Sequence, residues 1–221
     1  MAMKKIYLFA VLIFVFTSVS AQKRKYSTFY EQRATLFEAL HTSPKDIIFL
    51  GNSITNGCEW AELFDNPHIK NRGISGDICD GVYDRLDPIL KGKPAKLFLL
   101  IGINDVSRGT SADSIAGGVK RIIEKIQSDS PRTKIYLQSV LPVSDVYNMF
   151  QSHTSKGKVV VDLNSRLVEL AKDKKVFYID LYSHFVDKAT GKMRSDLSND
   201  GLHLLGKGYL LWRDLIKQYV N

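Results

Sequence analysis

Residues 46–55 read Asp46-Ile47-Ile48-Phe49-Leu50-Gly51-Asn52-Ser53-Ile54-Thr55. Three of the four apolar residues are β-branched or aromatic, and no polar position interrupts them, as in a strand buried on both faces of a parallel sheet. Gly-Asn-Ser then breaks the run, so Ser53 falls at a strand-to-helix junction. Segments 96–101, 134–141 and 176–180 share this character, and a weaker fifth strand lies at 68–72. Helical periodicity falls between them, at 57–64, 79–90, 111–128, 158–172 and 206–219, after an N-terminal helix near 26–40. Strand–helix alternation at this spacing implies right-handed βαβ units and an α/β fold, a three-layer α/β/α sandwich on a five-stranded parallel sheet. Ligands of such sheets bind beyond the carboxyl ends of the strands, so the residues just past each strand decide the function.

The outer parts of the chain set its class. Lys4 and Lys5 precede an unbroken run of 11 apolar residues, 6–16, and then small or β-branched residues up to Ala21. That is the pattern of a secretory signal peptide over 1–21, with cleavage between Ala21 and Gln22. The run is too short for a membrane span, which needs roughly 20 residues. No Cys stands at the cut to carry a lipid. The expected product is therefore exported, periplasmic or secreted, with one domain over 22–221 and no stable membrane insertion. Losing Lys4 and Lys5 lowers the net charge from +8 to +6. Beyond Lys23-Arg24-Lys25 no cationic run interleaves with aromatics, which argues against a nucleic-acid partner. The two cysteines, Cys58 and Cys79, have no metal-ligand spacing, so no structural zinc is expected; an oxidising compartment permits a bridge between them.

Four rim segments carry the chemistry: Gly51 to Thr55, Asn71-Arg72-Gly73-Ile74-Ser75-Gly76-Asp77, Gly102-Ile103-Asn104-Asp105, and Asn199-Asp200-Gly201-Leu202-His203. A serine hydroxyl needs a neighbouring base to become a nucleophile. Ser53 is the candidate, although a serine there is also an ordinary helix cap. His203 is the candidate base, with Asp200 to orient it. The backbone N–H groups of Ser53 and Gly76 and the Asn104 amide are candidate oxyanion donors. Gly76 suits that role because no Cβ blocks close approach, whereas Gly73 reads as a plain turn glycine. Asp180 and His184 form a second acid–histidine pair past a strand, with the poorer D-x-x-x-H spacing. The loop after the fourth strand should bring Tyr147, Phe150, His153 and Lys156 over the site, with Trp60, Arg72 and Tyr83 adding to its rim.

These segments resemble the blocks of the SGNH hydrolases, the GDSL-like esterase/lipase family. Gly51-Asn52-Ser53-Ile54 matches the first block, Asn71 to Asp77 the second, Gly102 to Asp105 the third and Asp200 to His203 the last. The run from Asn71 to Asp105 looks most like the platelet-activating-factor acetylhydrolase branch and its bacterial esterase relatives. Asn52 stands where the family usually has Asp, outside its catalytic set. The resemblance implies a flavodoxin-like fold and a serine ester hydrolase with Ser53, Asp200 and His203 catalytic. Ser53, Gly76 and Asn104 would form the oxyanion hole, with neither metal nor organic cofactor. The α/β-hydrolase elbow G-x-S-x-G fails at Thr55, and no phosphate-binding glycine loop occurs. Export and the branch together point to small-molecule or glycan esters, short acetyl groups on carbohydrates such as sialic acids. A lysophospholipase or thioesterase is the alternative, and a non-catalytic carbohydrate-binding protein on the same fold a more distant one.

Overall fold

The computed structural model describes residues 25–220; the leader, its cleavage point and Lys23-Arg24 lie outside the described residues. Five strands, β1 (Ile47–Gly51), β2 (Ile69–Gly73), β3 (Lys96–Leu100), β4 (Lys134–Gln138) and β5 (Phe177–Ile179), form one sheet in the order β2-β1-β3-β4-β5. All four pairings are parallel, which is the flavodoxin-like arrangement. The helices are α1 (Thr28–Ala39), α2 (Ser53–Asn56), α3 (Trp60–Leu63), α4 (Cys79–Asp84), α5 (Leu86–Leu90), α6 (Ile103–Ser107), α7 (Ala112–Asp129), α8 (Gln151–Thr154), α9 (Gly157–Lys174), α10 (Tyr182–Phe185) and α11 (Gly206–Val220). Right-handed crossovers put α4, α5, α7 and α9 on one face and α3 with α11 on the other.

Register explains the packing. Phe49, Phe98, Tyr136 and Phe177 are successive pairing partners across β1, β3, β4 and β5. Their rings therefore stack in a row, with centroids 4.9, 4.6 and 4.9 Å apart. Trp60 of α3 stacks on Phe49 at 4.2 Å, and Trp212 of α11 meets Trp60 edge-on at 4.9 Å. Such pairs contribute about 0.5–1.5 kcal/mol each beyond area burial. The row ties both outer helices of that face to four strands.

Several expected boundaries move. The helix expected at 79–90 breaks at Arg85 into α4 and α5, because Pro88 has no N–H for the Asp84 carbonyl and its ring crowds that carbonyl. The helix expected at 57–64 is a single turn, α3, and a separate turn, α2, precedes it and is closed by Gly57. The third strand stops at Leu100. The fourth, expected to reach 141, stops at Gln138 because the Asn164 side chain of α9 takes both backbone groups of Val140, at 2.8 Å each. Cys58 and Cys79 are separate buried thiols rather than a bridge: Cys79 faces α7 through Ile115, while Cys58 lies between α2 and α3. Burial pushes the Cys58 thiol up to about 12. Among the described residues no helix is long and apolar enough to cross a membrane.

Candidate active site

The four rim segments meet at the carboxyl ends of β1 and β3, where strand order reverses and crossovers leave by opposite faces. Ser53 opens α2, half-buried, directly after β1. Asn52 is fully buried, and its Oδ1 accepts from the Ile54 N–H at 3.0 Å, so an uncharged amide makes the cap here. Asn71 donates its side-chain amide to the carbonyls of Thr55, Asn56 and Cys58, at 3.1, 3.1 and 2.9 Å. The first two are carbonyls that a one-turn helix leaves unsatisfied at its end, so Asn71 fixes the segment that carries Ser53. Gly73 is not a plain turn glycine: it ends β2, and a Cβ there would come within 2.3 Å of the Asn56 nitrogen.

Ser53 Oγ lies 3.0 Å from His203 Nε2, and His203 Nδ1 lies 2.7 Å from Asp200 Oδ2. The other Asp200 oxygen accepts the backbone N–H groups of Leu202 and His203, each at 2.8 Å. Burial pushes the Asp200 carboxyl upward; the hydrogen bonds from the His203 ring and those two N–H groups outweigh it and hold it below the ordinary carboxylate range. An ionised Asp200 keeps the imidazole proton on Nδ1 and the Nε2 lone pair toward Ser53. The D-x-x-H loop is pinned from the chain after β4, where the Ser144 N–H bonds the Gly201 carbonyl at 2.9 Å and the Tyr147 hydroxyl donates to the Ser198 carbonyl at 3.0 Å.

The three candidate oxyanion donors are linked by direct bonds between their loops. The Ile74 N–H donates to the Gly51 carbonyl at 3.1 Å, Ser75 Oγ to Asn56 Oδ1 at 3.2 Å, and Asn104 Nδ2 to the Asp77 carbonyl at 2.8 Å. Gly76 occupies the third position of the turn from Ile74 to Asp77 with φ +79°, a conformation that favours glycine. Among the described residues the Ser53 and Gly76 N–H groups donate to no protein acceptor. Asn104 sits on α6, a short helix with no periodic signal in the sequence, entered through Gly102 at φ +124°. The buried Arg85 guanidinium braces the whole rim: it bonds Asp77 at 2.8 Å and the carbonyls of Arg72 and Gly51 at 2.8 and 3.0 Å.

The loop after β4 does overhang the site. Phe150 sets its ring edge-on to His203, with centroids 5.1 Å apart, and His153 Nε2 reaches Asn104 Oδ1 at 3.0 Å. Lys156 bonds the carbonyls of Val106 and Ser107 at the end of α6. Three other expected rim residues are elsewhere. Trp60 and Arg72 are buried, the first against Phe49 and the second beside Phe37 of α1. Tyr83 lies on the outer side of α4 beside Arg121 and Lys125. Asp180 only caps α10 through Ser183, and the His184 carbonyl receives Arg194, so that pair is structural.

A cavity of about 430 Å³ adjoins Gly76 and is lined by Tyr26, Tyr30, Ser75, Lys25 and Arg108 among others. Another, of about 650 Å³, lies between the end of α1 and α5 at the opposite ends of the strands and touches none of the rim segments.

Residues 49–211 match the model of the GDSL-like Lipase/Acylhydrolase family. Among curated proteins the chain is similar to the platelet-activating factor acetylhydrolase IB subunit alpha2 of Rattus norvegicus, with 29% identity over 170 residues, 74% of this chain and 71% of that protein. Among solved structures it resembles one from Streptococcus pneumonia, provisionally described as a platelet activating factor, with TM-score 0.80, 28% identity and coverage of 87% of this chain and 93% of that one. It also resembles a provisionally described acylhydrolase of Bacteroides fragilis, with TM-score 0.77, 25% identity and coverage of 89% and 98%. With its rim geometry and its family match over most of its length, this chain belongs to the GDSL-like lipase/acylhydrolase family and is a carboxylic ester hydrolase.

Proposed function

We propose that Ser53 is the nucleophile of an acyl-enzyme mechanism acting on short-chain, chiefly acetyl, esters of carbohydrates. The observation that carries the reading is the continuous relay from Ser53 Oγ through the His203 ring to Asp200, at 3.0 and 2.7 Å. Ser53 Oγ attacks the ester carbonyl carbon while His203 Nε2 takes its proton, and the carbonyl electron pair moves onto oxygen. That oxyanion is received by the N–H groups of Ser53 and Gly76 and the free N–H of Asn104, each such donor contributing about 3–4 kcal/mol to the transition state. Collapse expels the alcohol, which takes the proton from His203. Water then repeats the cycle, releasing the acid and restoring Ser53.

The short acyl group is supported by the acetylhydrolase relatives. The carbohydrate is supported by the cavity beside Gly76, where Ser75 and Arg108 offer donors to hydroxyl or carboxylate groups. A second reading, a lysophospholipase or thioesterase, is favoured by the exposed Val146, Met149 and Phe150 on the loop over His203. A chain-length series of p-nitrophenyl esters, run beside acetate release from O-acetylated sugars, separates the two. The proposed function gives the highest kcat/KM on the acetyl ester together with acetate release from the sugar. A rising preference toward eight carbons or more, with no acetate released, selects the second reading.

A further inference from the structure

The structure assigns a task to His153: it is a positioning residue that holds the Asn104 side chain with its amide N–H toward the oxyanion. This rests on the ester-hydrolase reading of the site and adds to it a residue outside the four motif segments.

An asparagine amide can be turned end for end at little intrinsic cost, and only one orientation presents a donor to an oxyanion. Two contacts select it. Asn104 Nδ2 donates one hydrogen to the Asp77 carbonyl at 2.8 Å, and Asn104 Oδ1 accepts from His153 Nε2 at 3.0 Å. With the oxygen engaged by His153, the second Nδ2 hydrogen is left for substrate. For His153 to donate, its proton must be on Nε2; Ser152 Oγ stands 3.2 Å from Nδ1 and can donate to the lone pair there. Burial, together with the nearby His203 and Lys156, holds the His153 imidazole below its ordinary range, favouring this neutral form.

The surrounding segment is built to keep His153 in place. Lys156, three residues on, is bonded to the last carbonyls of α6, the helix that bears Asn104. Phe150, three residues before, packs edge-on against both imidazoles, 6.2 Å from His153 and 5.1 Å from His203. One short segment thus grips the oxyanion side and the base side of the site together.

The test is a double-mutant cycle on p-nitrophenyl acetate. His153→Leu should lower kcat about 10- to 50-fold, less than the 10²–10³ that follows outright loss of an oxyanion donor, with KM within about twofold. His153→Gln, whose amide can still donate to Asn104 Oδ1, should recover activity to within about threefold of wild type. In an Asn104→Ala background His153→Leu should cost less than about twofold more, because the group it positions is gone. Equal losses in both backgrounds, a change confined to KM, or a Gln variant as impaired as the Leu variant would each overturn the assignment. If thermal melting shows that His153→Leu does not fold, His153→Asn, polar but too short to reach Asn104, takes its place with the same expected outcomes. A wild type inactive on every ester would instead refute the Ser53 mechanism.

Discussion

At the scale of single residues, the site is held by side chains whose partners lie far away in sequence. Ser53 and His203 are 150 positions apart and meet at 3.0 Å. Their types and motif spacing made them legible as candidates, and so were Asp200, Gly76 and Asn104. The tasks of Asn71 and Arg85 were not legible, because most of their partners are backbone carbonyls, which carry no sequence signal. His153 was visible only as a rim residue, since its partner is an amide rather than an acid. Asp200 gives the sharpest residue-scale prediction. In Asp200→Asn, Oδ1 can still accept the Leu202 and His203 N–H groups, so the loop should fold. An amide facing His203 Nδ1 favours the wrong tautomer, and kcat should fall by about 10³–10⁴ with melting temperature nearly unchanged. Steady-state kinetics beside thermal melting checks this; a loss below tenfold in a folded variant would show that Asp200 does not orient the base.

Among elements, the strands were legible as unbroken Ile, Leu and aromatic runs, and even the weak 68–72 segment is a true edge strand, β2; the burial on both faces that such runs imply holds for β1 and β3 but not for β5, the other edge strand, where Phe177 is exposed. Short helices were not. α6 has five residues, too few for periodicity, and it begins inside the motif that carries Asn104. Its Asp105 links it to the next element, accepting the Cys79 N–H at the start of α4 at 3.2 and 3.3 Å. Burial pushes the Asp105 carboxyl up to about 6, well above the roughly 3.9 of an unfolded chain. Between these values the folded protein binds more protons than the unfolded one, so the Asp105 contribution falls as pH rises from about 4 through 6. Asp105→Asn keeps an acceptor for Cys79 and removes that titration. Its melting temperature relative to wild type should therefore rise between pH 5 and pH 7.5. A constant difference would show that Asp105 ionises normally.

For the molecule as a whole, the sheet order β2-β1-β3-β4-β5 is what lets loops from both ends of the sequence share one rim. The reversal between β1 and β3 opens the crevice, and the aromatic row from Phe49 to Phe177 holds the strands beneath it in register. The alternation of elements made this architecture legible, while the end of β4 and the burial of Trp60 and Arg72 depended on tertiary packing. Whether Ser53 is the nucleophile over that crevice is read from p-nitrophenyl acetate hydrolysis by purified wild type and by Ser53→Ala. A nucleophilic Ser53 gives steady turnover by wild type and a loss of kcat of about 10³-fold or more in the folded variant, in line with removal of a serine nucleophile elsewhere. Turnover by Ser53→Ala at the wild-type rate, or none by the wild-type protein on any activated ester, would contradict it.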